Sequence, residues 1–184
     1  MIAGNIVFTM NDGREAVLRS PREEDAEALL NFIRTAVAET DFLIMTPGEV
    51  DNITTEEEKN FIKNINCSHN ALMLVCFVNG MIAGNCQITF NSNIKLRHKA
   101  EIGIAIVSEY WNLGIGTEMF TELIKIANIR PHVTHLTLTF IEGNSRARHL
   151  YEKMGFRIAG VIPQSVRLGD GTLLNEYFMI KKLR

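Results

Sequence analysis

The sequence predicts a mixed fold of the α/β (α+β) class, with a mostly antiparallel central sheet carrying helices on both faces. Three observations lead there. Two turns, Asn11-Asp12-Gly13 and Asn79-Gly80, each join apolar runs of strand type, and both carry the Asp-Gly or Asn-Gly step that suits a tight hairpin. Later in the chain, strand-like runs alternate with amphipathic helical patterns, so a set of antiparallel strands is followed by β-α-β-α-β. With four prolines, no Gly/Ser linker and no internal repeat, the expectation is one domain over residues 1–184.

Taken in order, Ile6 to Met10 and Ala16 to Leu18 form the opening hairpin. Ser20-Pro21-Arg22-Glu23 offers an N-cap, a proline at the first helical position and a glutamate able to close a capping box. Leu29, Leu30, Ile33 and Val37 follow at helical spacing, which predicts a first helix over 21–38. Thr54 with Glu57, or Thr55 with Glu58, can cap a second helix carrying Phe61, Ile62 and Ile65; Asp41 to Ile53 before it is a long connection, a class of segment that is often functional. Ala71 to Val78 and Met81 to Phe90 are the strands of the second hairpin, and Ala100 to Val107 is another strand.

Gly116 to Ile129 is helical by pattern, with Met119, Phe120, Leu123, Ile124 and Ala127 on one face and Pro131 just beyond its end. Leu136 to Phe140 makes a short strand and Ser145 to Met154 a short helix ended by Gly155. Phe156 to Val166 and Thr172 to Ile180 make the last two strands, around the turn Leu168-Gly169-Asp170-Gly171.

Composition narrows the function classes. Nineteen basic and twenty-one acidic residues give a net charge of −2, so no single-sign field favours capture of nucleic acid or of an anionic membrane. No stretch approaches the ~20 apolar residues of a membrane span, and the N-terminus lacks the pattern of a signal peptide, which points to a cytoplasmic protein. Cys67, Cys76 and Cys86 lack metal-ligand spacing and are expected as reduced thiols, and His132-x-x-His135 has no third ligand nearby, so no metal is expected.

The chemistry concentrates in two segments. Glu109-Tyr110-Trp111-Asn112-Leu113-Gly114-Ile115-Gly116-Thr117 lies between an apolar strand and an amphipathic helix. A helix N-terminus exposes amide hydrogens and positive dipole, and glycines let the backbone approach an anion closely, so the expected ligand is a phosphate or pyrophosphate. Paired glycines also serve plain packing; the third glycine of the dinucleotide fingerprint is missing, Met119 standing in its place, and no Gly-Lys-Ser/Thr ending marks a P-loop. The second segment is Asn144-Ser145-Arg146-Ala147-Arg148-His149-Leu150-Tyr151-Glu152-Lys153-Met154-Gly155-Phe156. Asn144 is a natural N-cap, Ala147, Leu150 and Met154 share one face, and Tyr151 falls at the border of that face with its hydroxyl expected to meet a ligand.

These two segments resemble the GNAT superfamily of acyl-CoA-dependent N-acetyltransferases. Its pyrophosphate motif, Gln/Arg-x-x-Gly-x-Gly/Ala, corresponds to Trp111-Asn112-Leu113-Gly114-Ile115-Gly116, with Trp111 in place of the usual Gln or Arg. Its following motif, Asn-x-x-Ala-x-x-Leu-Tyr-x-x-x-Gly-Phe, is matched by Asn144, Ala147, Leu150, Tyr151, Gly155 and Phe156. The resemblance implies acetyl-CoA as cosubstrate, a pyrophosphate on the turn formed by Trp111, Asn112, Leu113, Gly114, Ile115, Gly116 and Thr117, and a pantetheine arm along Ile104, Ala105 and Ile106 and against Asn144. It implies a thioester between that strand and Leu136 to Phe140, with a backbone amide near Ile106 polarising its carbonyl. Tyr151, also expected to line the cofactor, takes the position of the family's usual acid for the departing thiolate.

For the base, Glu101 opens the strand lining the site, where some superfamily members carry a catalytic glutamate; a surface carboxylate, or one that only attracts the ammonium group, remains open beside that role. Ribosomal-protein alanine acetyltransferases resemble this chain but carry a glutamate where Thr139 stands, and a threonine cannot act as a base at neutral pH. Glu142 is a secondary candidate. Arg146 and Arg148 could reach CoA phosphates or be solvated. The acceptor, a primary amine of a small molecule or peptide, would meet the Asp41 to Ile53 loop and the Arg167 to Thr172 turn, where Asp41, Glu49, Asp51 and Asp170 could attract a cation. The resemblance leaves room for a homodimer, and a non-catalytic acyl-CoA-binding regulatory module is the alternative to an enzyme.

Overall fold

The computed structural model describes all residues, Met1–Arg184. The chain forms two compact units: Met1–Thr89 with Gly103–Met119, and Phe90–Ile102 with Phe120–Arg184. One strand and one helix, β5 (Lys99–Ile106) and α4 (Ile115–Asn128), contribute residues to both.

The first unit opens with the antiparallel hairpin β1 (Ile6–Thr9) and β2 (Glu15–Arg19), with Ile6 opposite Leu18 and Thr9 opposite Glu15. β2 pairs antiparallel with β3 (Ala71–Val78), and β3 with β4 (Met81–Phe90) across Asn79-Gly80. Both turn residues have positive φ, 49° and 80°, as the tight mirror-image turn requires. Leu18, Leu74, Val75, Cys76, Val78 and Ile88 are fully buried.

Between the two hairpins lie three α-helices rather than two. The first, α1, spans Ala26–Ala38 and is preceded by a 3-10 turn at Glu23–Asp25. Ser20 is not its cap: its hydroxyl accepts from the Ala3 amide at 2.9 Å and donates to the Met73 carbonyl at 3.2 Å, two buried tertiary bonds that win over a local one. Asp25 instead closes the 3-10 turn, its carboxylate accepting from the Arg22 amide at 2.7 Å while Arg19 grips it at 2.6 and 2.9 Å, and α1 itself has no side-chain cap bond. These bonds more than offset the burial of its carboxyl and hold it below the ordinary aspartate range.

The expected long connection contains α2 (Pro47–Asp51), capped by a reciprocal Thr46–Glu49 box with Pro47 at the first position. The third helix, α3 (Thr55–Cys67), starts on the Thr54–Glu57 box, not the Thr55–Glu58 alternative. That choice puts Glu58 on the inward face beside Ile62 and Ile65, with Phe61 exposed, and burial pushes the Glu58 carboxyl up.

In the second unit, the first residues of β5 run parallel to β6 (His135–Ile141), with Lys99 opposite His135 and Glu101 opposite Thr137. β6 pairs antiparallel with β8 (Leu173–Lys182), and β8 with β7 (Arg157–Arg167). The pairings in both units are thus antiparallel apart from β5–β6, as the mixed, mostly antiparallel expectation had it. Phe120, Leu123 and Ala127 of α4 are fully buried, and α5 (Ser145–Lys153) begins on Asn144, whose side chain accepts from the Ala147 amide at 3.2 Å. No helix is long and apolar enough to cross a membrane.

Cys67 is exposed, while Cys76 and Cys86 are buried; all three are free thiols. Burial pushes the Cys76 thiol up to about 12 and the Cys86 thiol higher still. A thiol whose folded pKa exceeds its unfolded value of 9.0 supports folding fully below that value, and the support is lost as pH rises toward the folded pKa. Wild-type stability should therefore fall between pH 8 and 10 by up to about 1.4 kcal/mol per pH unit for each thiol. In urea melts across that range, Cys76→Ala combined with Cys86→Ala should give a lower but flatter profile.

Candidate functional site

The loop from Val107 to Gly114 carries β5 into α4 and is built entirely in the first unit. Its backbone is pinned at successive points. The Val107 amide donates to the Ala83 carbonyl at 3.1 Å, and Glu39, at the end of α1, accepts from the Ser108 amide at 2.6 Å and from the Ser108 hydroxyl at 2.8 Å. The Trp111 indole donates to the Ile106 carbonyl at 2.7 Å, so the residue that departs from the family motif closes the loop on the strand before it. Ile104, Ala105 and Ile106 are half-buried at the end of β5.

Two residues of the loop sit in the left-handed region, Asn112 with φ 63° and Gly114 with φ 92°. At Gly114 the conformation is one that only glycine adopts without strain, and a Cβ there would lie 3.1 Å from the Asn11 side-chain oxygen. The first intrahelical bond of α4 runs from the Glu118 amide to the Gly114 carbonyl at 3.1 Å. Within the unit no protein acceptor takes the amide hydrogens of Leu113, Gly114, Ile115 or Gly116. Four successive amides at a helix N-terminus, with left-handed residues among and beside them, make a concave donor set suited to a diphosphate.

Gly84, unremarked in the sequence, belongs to the same support. A Cβ on it would meet the Ala105 carbonyl oxygen at 2.8 Å and Ile106 Cγ1 at 2.9 Å, so the close approach of β4 to the end of β5 needs a glycine. The readable signal was an isolated glycine inside an apolar strand pattern, which often marks a bulge or a close backbone approach. The β3–β4 register does shift beside it, between Cys76 and Phe77.

The remaining candidates lie in the second unit. Tyr151, expected at the edge of the α5 face, is its buried residue at 6% exposure, while Ala147, Leu150 and Met154 are only half-buried. Its ring packs among Phe120, Phe140 and Phe156, with centroids 5.5, 6.1 and 6.5 Å away. The cause is tertiary: three aromatic partners reward turning the tyrosine, not the leucine, inward. Burial pushes the Tyr151 phenol up to about 12.

Glu101 is exposed on β5, opposite Thr137, whose hydroxyl donates to the Ala100 carbonyl at 3.3 Å. Thr139 is exposed on β6, opposite Phe178. Glu142 does structural work: its carboxylate accepts from the Asn175 amide at 3.1 Å and its own amide donates to the Asn175 carbonyl at 2.9 Å, tying the β6–α5 loop to β8. Arg148 pairs with Glu152 along α5 at 2.8 Å.

Three of the four acidic residues expected to attract a cationic acceptor have local partners instead. Glu49 caps α2, and its bonds to Thr46 hold its carboxyl below the ordinary range. Asp51 lies 3.3 Å from Arg34, and Asp170 accepts from the Thr172 amide at 2.9 Å, which lowers its pKa. His135 bonds Thr134 at 2.8 Å, and no group of three or more His, Cys, Asp or Glu side chains is arranged to hold a metal ion.

The family model described as an acetyltransferase (GNAT) domain matches residues 16–157. An L-amino acid N-acetyltransferase, AaaT, from Escherichia coli strain K12 is 27% identical over 108 residues, which cover 59% of this chain and 66% of that protein, just under two thirds of its length. The crystal structure of an acetyltransferase of the GNAT family from Streptococcus pneumoniae superposes with a TM-score of 0.84 at 31% identity, covering 92% of this chain and 99% of the other. The yncA structure from Salmonella typhimurium, determined with its cofactor acetyl-CoA, gives a TM-score of 0.77 at 19% identity over 92% of this chain and 94% of that one, a likeness of fold.

The Gly84 contact is directly testable. Gly84→Ala should cost about 2 kcal/mol in urea denaturation, because backbone and a packed isoleucine must both give way. Gly103→Ala, where a Cβ meets nothing within 4 Å, should stay within about 0.5 kcal/mol of wild type.

Proposed function

Since the chain belongs to the GNAT acetyltransferase family, we propose that it is an enzyme that moves an acetyl group from acetyl-CoA to a primary amine of a small molecule or peptide. The observation that carries this is the run of four amide hydrogens, Leu113 to Gly116, left without protein acceptors at the start of α4. These residues with Thr117 would hold the diphosphate of CoA, Trp111 and Asn112 shaping the turn, and Ile104, Ala105 and Ile106 with Asn144 would meet the pantetheine arm. When bound, acetyl-CoA supplies an activated thioester.

The chain's own residues then have two tasks. An alkylammonium with a pKa of ~10 must lose its proton before it can attack, and Glu101 is the candidate to accept that proton directly or through water. Tyr151, with its phenol at about 12, stays protonated across the physiological range and can donate a hydrogen bond to the departing sulfur. From that position the phenol can serve as the acid for the departing thiolate, which is stabilised by the same hydrogen bond before the proton moves. The Val107 amide is already committed to Ala83 and takes no part in polarising the thioester.

Of Glu49, Asp51 and Asp170 only Asp51 faces a cation, Arg34, while Glu49 and Asp170 are bonded to neutral groups that hold them ionised, so both can still attract a cationic amine. A cytoplasmic enzyme fits this reading. A regulatory acyl-CoA-binding module would bind the same ligand without turnover, and an amine panel with acetyl-CoA and thiol detection separates the two.

CoA or acetyl-CoA at a hundredfold excess over Kd should stabilise the protein by about 2.7 kcal/mol, raising Tm by ~5–10 °C, with ATP and NAD giving no comparable shift. Equal stabilisation by ATP would overturn the assignment. With an accepted amine, Tyr151→Phe should leave CoA binding within a few-fold and lower kcat about 100-fold. Glu101→Gln should depress kcat/KM most near neutral pH, with recovery as rising pH deprotonates the amine in solution. A rise confined to KM would instead make Glu101 a binding group.

A further inference from the structure

We propose that Asn11, at the tip of the β1–β2 hairpin, is a positioning residue for the diphosphate-binding turn, an inference that rests on the reading of that turn given above. Asn11 is separated from the turn by about a hundred residues yet bonds it twice. Its backbone amide donates to the Leu113 carbonyl at 3.0 Å and its side-chain Nδ2 donates to the Asn112 carbonyl at 3.1 Å. Its side-chain oxygen lies 3.1 Å from where a Cβ on residue 114 would stand, so the side chain lies close against Gly114.

The consequence follows from peptide geometry. In a trans peptide the carbonyl and the amide hydrogen point in opposite directions, and the chain has no cis peptide bond. The Asn112 carbonyl shares its plane with the Leu113 amide, and the Leu113 carbonyl with the Gly114 amide. Drawing both carbonyls toward Asn11 therefore turns both amide hydrogens away from the hairpin, and these two head the series of four that lack protein acceptors. Asn112 would otherwise be free to leave the left-handed region, which a non-glycine residue holds only against strain.

The hairpin itself is anchored to the loop and internally. Arg14 lies over the Tyr110 ring at 5.6 Å and is held by Asp12 at 2.7 Å, while the Met10 amide donates to the Arg14 carbonyl at 2.8 Å. With Trp111 and Glu39 securing the other side of the loop, Asn11 is the group that sets the orientation of the two peptide planes in question.

The test compares wild type with Asn11→Ala, Asn11→Asp and Gly114→Val by calorimetric titration with CoA, by amide hydrogen exchange of residues 111–116 without ligand, and by steady-state kinetics with an accepted amine. Asn11→Asp keeps the size and turn preference of the side chain but lacks the donor; its carboxylate also repels a diphosphate, so its deciding readout is the ligand-free exchange of residues 111–116, which keeps the test decisive if the alanine variant folds poorly. Both Asn11 variants should weaken CoA binding about 3- to 10-fold, as expected for one hydrogen bond that holds a donor set in place. Exchange should quicken in residues 111–116, and KM for acetyl-CoA should rise with kcat within about twofold of wild type.

If both Asn11 variants bind CoA within about twofold of wild type while Gly114→Val does not bind, the diphosphate reading stands and the role of Asn11 falls. A loss confined to kcat would likewise remove the positioning role. If the wild-type protein itself does not bind CoA, the functional reading fails, and this inference with it.

Discussion

Everything about the candidate cofactor site depends on leaving backbone amides unpaired without letting the loop that carries them relax. Unpaired donors are costly in a protein interior, and a loop free to move would turn them toward water or toward its own carbonyls. This chain meets the constraint by satisfying the carbonyl side of the same peptides. Asn11 takes the carbonyls of Asn112 and Leu113, Trp111 takes that of Ile106, and Glu118 takes that of Gly114. In the peptides that begin at Asn112, Leu113 and Gly114, the amides of residues 113–115 are left without protein acceptors, and that of Gly116 follows them. The left-handed conformations of Asn112 and Gly114 are the local consequence, and the hairpin, α1 and the indole are what sustain them.

The second unit solves a different problem, that of keeping a phenol neutral and fixed. Tyr151 sits among Phe120, Phe140 and Phe156, and Phe140 stacks on Tyr177 at 5.0 Å. An apolar, tightly packed ring environment raises the cost of the phenolate and limits the ring's rotation, so the same packing that stabilises α5 against its sheet sets the protonation state of the hydroxyl. Structural and chemical roles are therefore inseparable at this residue in a way they are not at Glu101, which is exposed and stands opposite a threonine.

Elements with strong local signals were legible from the sequence. The Asn79-Gly80 hairpin, the Thr54–Glu57 start of α3, the Asn144 cap and the amphipathic pattern of α4 are each decided by a few neighbouring residues whose backbone bonds close locally. The Thr46–Glu49 box is an equally local signal, although it lies within the expected long connection. Two residues depart from their local pattern for non-local reasons. Ser20 and Tyr151 were assigned by local pattern, and each is claimed by partners distant in sequence: Ala3 and Met73 for the hydroxyl, three phenylalanines for the ring.

Acidic loop residues show the same division. Composition alone made Glu49, Asp51 and Asp170 equivalent attractors for a cation, yet one is a cap, one an ion pair and one a turn bond. By itself the sequence determined the order of the strands and of every α-helix but α2, because spacing, capping and turn chemistry act over a few residues and leave a periodic trace, and its two chemical motifs carried the resemblance to the family. Only the tertiary structure decided that Asn11 braces the Asn112–Gly114 turn, that Gly84 must lack a Cβ beside Ala105, and that Tyr151 is the inward residue of its helix. Those outcomes depend on which groups meet across long sequence separations, and no local pattern of residue types encodes that meeting.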